Sequence, residues 1–169
     1  MQKDLHRPPQ TSMTSRERVL KAIHHEEPDR LPIDLGGMAS TGIMAIAYAR
    51  LKEYLGITKG EIRLFDMGQQ LAEVESEILS RFGVDVISLG NSLGEALPEF
   101  WKPWRLPNGV ACQVPASVDL RPDEENGGWL IWENGVPTQR MSASSLYFSE
   151  SFHPLAEATT PEELKLFPR

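Results

Sequence analysis

Apolar positions first fall into a helical rhythm just after Thr14-Ser15-Arg16-Glu17. That tetrad is a capping box: the Thr14 hydroxyl accepts from the backbone N–H three residues on, and Glu17 reaches back. Val19, Leu20 and Ile23 then share one face, which predicts a helix from 14 to about 25. Pro28 lacks an N–H and disfavours helical geometry at Glu27, so the helix stops before it. Leu31-Pro32-Ile33-Asp34-Leu35 alternates as a strand does, and Gly36-Gly37 ends it. Ile43, Ile46, Ala47, Leu51 and Tyr54 predict a second helix over about 43–55, capped by Ser40 or Thr41 and closed by Gly56. Leu71, Val74, Ile78, Leu79 and Phe82 predict a third over about 68–82, closed by Gly83, with Glu77 and Arg81 paired on its outer side. The nearly continuous apolar run Val84 to Gly90 reads as a short strand covered on both faces.

The pattern changes after about residue 92. Asn108-Gly109 and Asn134-Gly135 are hairpin signals flanked by strand-like residues. Residues 129–133 and 136–142 form the clearer hairpin, and 145–149 reads as a further strand. All four tryptophans lie between 101 and 132. Residues 93–150 therefore read as a β-rich excursion from a helix–strand alternation over 14–92. Thr160-Pro161-Glu162-Glu163 opens another helix, with Thr as cap and Pro at the first position. Few residues follow it, and two buried-type strands cannot close a sheet. The expectation is that the chain is the N-terminal part of a larger α/β protein, with 151–169 beginning the next unit.

Composition narrows the function classes. An apolar content of 40% supports a real core, and the 169 residues suit one ordinary domain. The formal charge of −7 argues against a nucleic-acid partner, which selects a basic face. No run approaches the ~20 apolar residues of a membrane span. Residues 1–13 read as a disordered leader without the apolar middle of a signal peptide, and a cytoplasmic protein is expected. A single cysteine, Cys112, excludes an internal disulfide and any multi-cysteine zinc site within the chain.

Candidate chemistry gathers where the first strand meets the second helix. Ligands of parallel α/β folds bind at such carboxyl strand ends. Gly36 and Gly37 let backbone approach a ligand there, and Ser40 or Thr41 places N–H groups at a helix start, which favours anions. The same residues also read as a tight turn with an ordinary cap. Asp34, at this strand end, reads either as a charged group in a barrel interior or as a strand residue paired with a base such as Arg30. Asn91 follows the second strand and points toward the same end, where it also reads as a turn residue. His24 and His25 suit the negative end of a helix better than a metal, since adjacent helical side chains diverge. His6 and His153 lack a neighbouring ligand in sequence. Cys112 reads as a core or edge thiol, and Asp123-Glu124-Glu125 as a solvated acidic loop.

Three segments, "TSRERVLKAIHHEEPDRLPIDLGG", "STGIMAIAYARLKEYLGI" and "QQLAEVESEILSRFGVDVISLG", resemble the N-terminal region of the uroporphyrinogen decarboxylase superfamily. Within the first, the set R-E-R-V-x-x-A-[IL]-x-[HR]-x-x-P-D-R-x-P is distinctive. "SLYFSESFHPLAEATTPEELKLFP" fits the usual continuation, so the resemblance spans about residues 14–168. It implies the N-terminal part of a TIM-type (β/α)₈ barrel, with its first strand at 31–35 and a β-hairpin-rich insertion at 93–150. It also implies one of two chemistries. True members of the name-giving branch remove carboxyl groups from a tetrapyrrole without a cofactor. Related members are zinc-dependent methyltransferases that move methyl groups between a corrinoid protein and a thiol.

The chain departs from the decarboxylase pattern at its substrate-binding motif. P-V-W-x-M-R-Q-A-G-R-Y laid on Pro32 puts Gly37 and Thr41 at the two arginine positions, and the catalytic aspartate falls near Asn91. A substrate bearing many carboxylates needs fixed guanidinium donors, which Gly and Thr cannot supply. The resemblance therefore favours a corrinoid-linked methyltransferase or demethylation component over a diverged carboxy-lyase acting on a tetrapyrrole or other carboxylated substrate. In that branch the zinc ligands, a His-x-Cys pair and a later Cys, lie beyond residue 169. Residues 1–169 alone are expected to bind no zinc and to lack a complete active site. A tryptophan-rich α+β module that binds a partner is the non-enzymatic rival.

Overall fold

The structure, a computed structural model, describes residues 13–89, 97–153, 155–156 and 158–160. Residues 1–12, Asn91 and the helix start at 161–163 lie outside the described residues. The chain is mixed α/β and divides into two compact units, Met1–Ser117 and Val118–Arg169. No closed barrel is present among the described residues.

The first unit opens with helix α1, Ser15–Ile23, whose capping box forms as its sequence requires. Glu17 N donates to the Thr14 hydroxyl at 3.2 Å, and Thr14 N donates to the Glu17 carboxylate at 2.8 Å. Replacing Thr14 with alanine should therefore destabilise the unit by about 1 kcal/mol in equilibrium urea unfolding. The expected apolar face of α1 is not the buried one. Ile23 is 64% exposed, whereas Arg18 is buried because its guanidinium has two carboxylate partners.

The segment after Gly36 corrects the second-helix boundary. Ala39–Thr41 is a single 3₁₀ turn, and Ile43–Met44 is a two-residue strand, β1. Helix α2 spans Ala45–Leu55, and its cap position is Met44, with no side-chain cap from Ser40 or Thr41. Gly56 does take the left-handed conformation that ends the helix. The buried face of α2 centres on Ala45, Tyr48 and Lys52, while Tyr54 points to solvent.

The expected third helix is shorter by two turns. Leu64–Asp66 and Leu71–Ala72 form strands β2 and β3, and α3 begins only at Ser76 and ends at Phe82. β3 is the central strand of an antiparallel β1-β3-β2 sheet. Leu71 and Val74 thus belong to a strand and the loop after it. Apolar spacing alone does not separate a short buried strand from a helical turn.

The hairpin β4 (Trp101–Arg105) and β5 (Ala111–Pro115) packs into this same unit. Gln113 N donates to the Ile62 carbonyl at 2.8 Å, which ties the hairpin to the start of β2. Cys112, Val114 and Leu106 share one core with Ala45, Tyr48, Leu64 and Ile78. The packing boundary thus falls at 117/118, not at the compositional change near 92.

The second unit is an antiparallel sheet, β6 (Asp119–Pro122), β7 (Gly128–Glu133), β8 (Val136–Ser142) and β9 (Ser149–Glu150), in that order. Asn134 and Gly135 both have positive φ, 52° and 82°, which is the type I′ geometry their sequence requires. Strand β6 has no clear signal in sequence, and β9 covers only the end of the expected 145–149 strand. Asp123 is buried rather than solvated: it accepts from Arg140 Nε at 2.7 Å and from Asn126 N at 3.0 Å. Glu124 and Glu125 are exposed, as an acidic loop should be. No helix among the described residues is long and apolar enough to cross a membrane.

Candidate functional site at the carboxyl ends of two parallel segments

Residues 31–35 and 84–89 run side by side and parallel. Asp34 bridges Val86, and Asp85 N donates to the Ile33 carbonyl at 2.8 Å. Neither segment is a full strand, and the expected cover on both faces is absent among the described residues. Leu31 is 81% exposed, Ile87 65% and Leu89 83%. Parallel direction gives the pair two chemically different ends.

The amino end is a buried charge network. The Asp85 carboxylate is fully buried and accepts from Arg18 Nη1, from Arg30 Nη1 at 2.7 Å and from Ile33 N at 2.9 Å. Arg18 Nε also donates to Asp29 at 2.7 Å. Burial pushes Asp85 up, but the bonds from Arg30, Ile33 N–H, Ser15 and Arg18 together hold its carboxyl below the ordinary value. The Arg18 bond holds Asp29 down to about 2. Arg30 is therefore committed to Asp85, which overturns its expected pairing with Asp34. Arg18, Asp29 and Arg30 are three of the five charged members of the R-E-R-V…P-D-R pattern, beside Arg16 and Glu17. Their partner Asp85 sits inside "VDVISLG", where a lone acid in an apolar run was the available signal.

The carboxyl end carries the candidate site residues. Asp34 Oδ1 accepts from Gly37 N at 2.8 Å, closing a turn. A Cβ on residue 37 would lie 2.5 Å from that oxygen and 3.0 Å from Val86 Cγ1, so a side chain there would have to displace the Asp34 carboxylate that closes the turn. Gly36 has φ +83°, and its N–H donates to the Thr41 carbonyl at 2.9 Å. The Thr41 hydroxyl bonds the Met38 backbone, and Ser40 is exposed. Asp34 thus bonds Gly37 while Thr41 bonds Gly36 and Met38, which closes 34–41 into a loop whose Gly36 also lines the adjacent cleft. Asn91 lies outside the described residues.

That cleft has a volume of about 180 Å³ and is lined by Leu35, Gly36, Phe65, Glu73, Val74, Leu79, Val86, Ile87 and Ser88. Leu35 and Gly36 follow Asp34, and Ile87 and Ser88 follow Val86, so both parallel segments deliver their carboxyl ends to it. Glu73 is the one ionisable group in this lining. Burial raises its carboxyl above the ordinary value, the Arg63 charge opposes the rise and the Glu75 charge adds to it. A carboxyl so placed holds a proton closer to neutrality than a surface glutamate does. Sequence patterning missed Glu73 because residues 68–82 read as one helix, with 73 on its outer side.

The segment carrying Glu73 is anchored on both sides. Glu73 N donates to the Arg63 carbonyl at 2.8 Å. Two residues on, the Glu75 carboxylate accepts from the Tyr48 hydroxyl at 2.9 Å and pairs with Lys52. Lys52 also donates to the Lys59 carbonyl at 2.7 Å, and burial raises the Tyr48 phenol well above its ordinary pKa.

Cys112 belongs to the core of the first unit. Burial pushes its thiol up to about 12, which leaves little thiolate at neutral pH. No group of three or more His, Cys, Asp or Glu that could hold a metal ion is found among the described residues. No protein-family model, curated protein or solved structure matches the chain.

Proposed function

We propose that the chain forms the first βα units of a (β/α)₈-type enzyme of the uroporphyrinogen decarboxylase superfamily, acting as a corrinoid-linked methyltransferase or demethylation component. The observation that supports the reading most is the parallel pairing of 31–35 with 84–89 and the cleft at the carboxyl ends of both. Helices α2 and α3 lie in the connection between the two segments, as a β-to-β crossover requires. Barrel and doubly wound enzymes alike place their chemistry at that end and their stabilising contacts at the other. The Asp85 network and the Glu73 cleft divide in the same way.

The cleft lining favours methyl transfer over tetrapyrrole decarboxylation. Glu73 would repel substrate carboxylates when ionised, and the lining offers no guanidinium to hold them. Zinc in that branch makes a thiol nucleophilic at neutral pH; its ligands would come from elsewhere in the protein. Within this chain, Glu73 supplies a proton-holding group, and the Asp34–Thr41 loop supplies a rigid wall.

The test uses the full-length product of the gene, supplied with methylcobalamin and a small thiol. Methyl passes from cobalt to sulfur in the proposed reaction, and the cobalamin absorbance should change as the methylated thiol accumulates. Loss of carboxyl groups from uroporphyrinogen, with no methyl transfer, would overturn the proposal.

A further inference from the structure

We propose that the cleft between the Gly36 and Ser88 ends of the parallel segments binds a compact organic cation, with the Glu73 carboxylate as its counter-ion. The lining combines one carboxyl group, one aromatic ring and aliphatic walls, with Phe65, Val74, Leu79 and Ile87 providing the apolar surface. A ligand that satisfies such a lining has a positive centre inside an apolar shell. An ammonium carrying alkyl groups meets Glu73 by charge and Phe65 by the attraction of a cation to a ring face. An anion meets repulsion from the ionised Glu73 carboxylate, and the net charge of −7 adds to it. A cavity of about 150 Å³ holds a benzene-sized molecule, so 180 Å³ admits a ligand of roughly six to eight heavy atoms. Choline is of that size.

The surroundings give the binding a pH signature. Arg63 and Glu75 are the charged groups that act on Glu73, in opposite directions. Burial favours the protonated form of the empty carboxyl, and a bound cation favours the ionised form. Binding therefore releases a proton and tightens as pH rises through the range in which Glu73 titrates. The inference rests on the cleft alone, so failure of methyl transfer by the full-length protein leaves it standing.

The experiment is a calorimetric titration of the 169-residue chain with choline and with its uncharged isostere 3,3-dimethylbutan-1-ol. Choline should bind at least about tenfold more tightly, which is the scale of a partly desolvated cation–ring and ion-pair contact. Glu73→Gln should erase that difference while keeping the melting temperature of the parent chain. Raising the pH through the range in which the Glu73 carboxyl ionises should strengthen choline binding to the parent and leave the variant unchanged. A chain that binds neither probe, binds both equally, or keeps its preference in folded Glu73→Gln would overturn the proposal.

Discussion

Replacing Asp85 with asparagine is expected to destabilise the first unit by about 3–5 kcal/mol, the scale for removing one partner from a buried ion pair. Asparagine keeps the size of the side chain but not its charge. Arg18, 1% exposed, and the partly buried Arg30 would lose their shared carboxylate. Ile33 N would face an amide that must choose between donating and accepting. Thermal unfolding should fall by more than about 10 °C. Acid sensitivity is the second readout. Asp85 and Asp29 have folded-state pKa values below those of the unfolded chain, and Asp29 lies at about 2. Their stabilisation is full above the unfolded value near pH ~4 and is lost as pH falls toward the folded values. The variant should therefore lose less stability than the parent between about pH 4 and 2. A variant that melts with the parent would show that the network contributes nothing.

In the second unit, Gly128→Ala should cost about 2–4 kcal/mol, from backbone strain plus a displaced strand end. Gly128 has φ +100°, and an added Cβ would lie 2.1 Å from the Met141 carbonyl oxygen and 2.9 Å from Ala143 N. Those atoms belong to the facing end of the β7–β8 pair, so a side-chain rotation cannot relieve the clash. Gly135→Ala is the internal control. Its φ of +82° is similar, but nothing lies within 4 Å, so only the left-handed penalty of about 1 kcal/mol applies. Amide exchange at Asp123, whose N–H donates to the Gly128 carbonyl at 3.0 Å, reports the difference directly. Equal protection in the two variants would contradict the register of β7 with β8.

Local signals in the sequence carried their elements wherever one residue determines the backbone. The Thr14–Glu17 box, Gly56, Gly83 and the Asn134-Gly135 turn each form as their chemistry requires. The errors arise where burial decides. Leu71 and Ala72 fit a helical stripe, yet the central position of β3 between β1 and β2 makes them strand. Val19, Leu20 and Ile23 promised the inner face of α1, yet the carboxylates of Asp29 and Asp85 draw Arg18 inward instead. The site was legible as a place but not as a set of groups. Gly36 marked the right strand end, whereas Glu73 arrives through a loop whose position depends on Arg63, Tyr48 and Lys52, all distant in sequence.

The parallel adjacency of 31–35 and 84–89 alone sends both carboxyl ends to one cleft and both amino ends to Asp85. Nuclear Overhauser contacts measured on the isotopically labelled chain test it most directly. The short contacts of a parallel pair are expected between Asp34 and Val86, with the Asp85 amide protected from exchange by the Ile33 carbonyl. Antiparallel contacts, or a freely exchanging Asp85 amide in the folded chain, would contradict it.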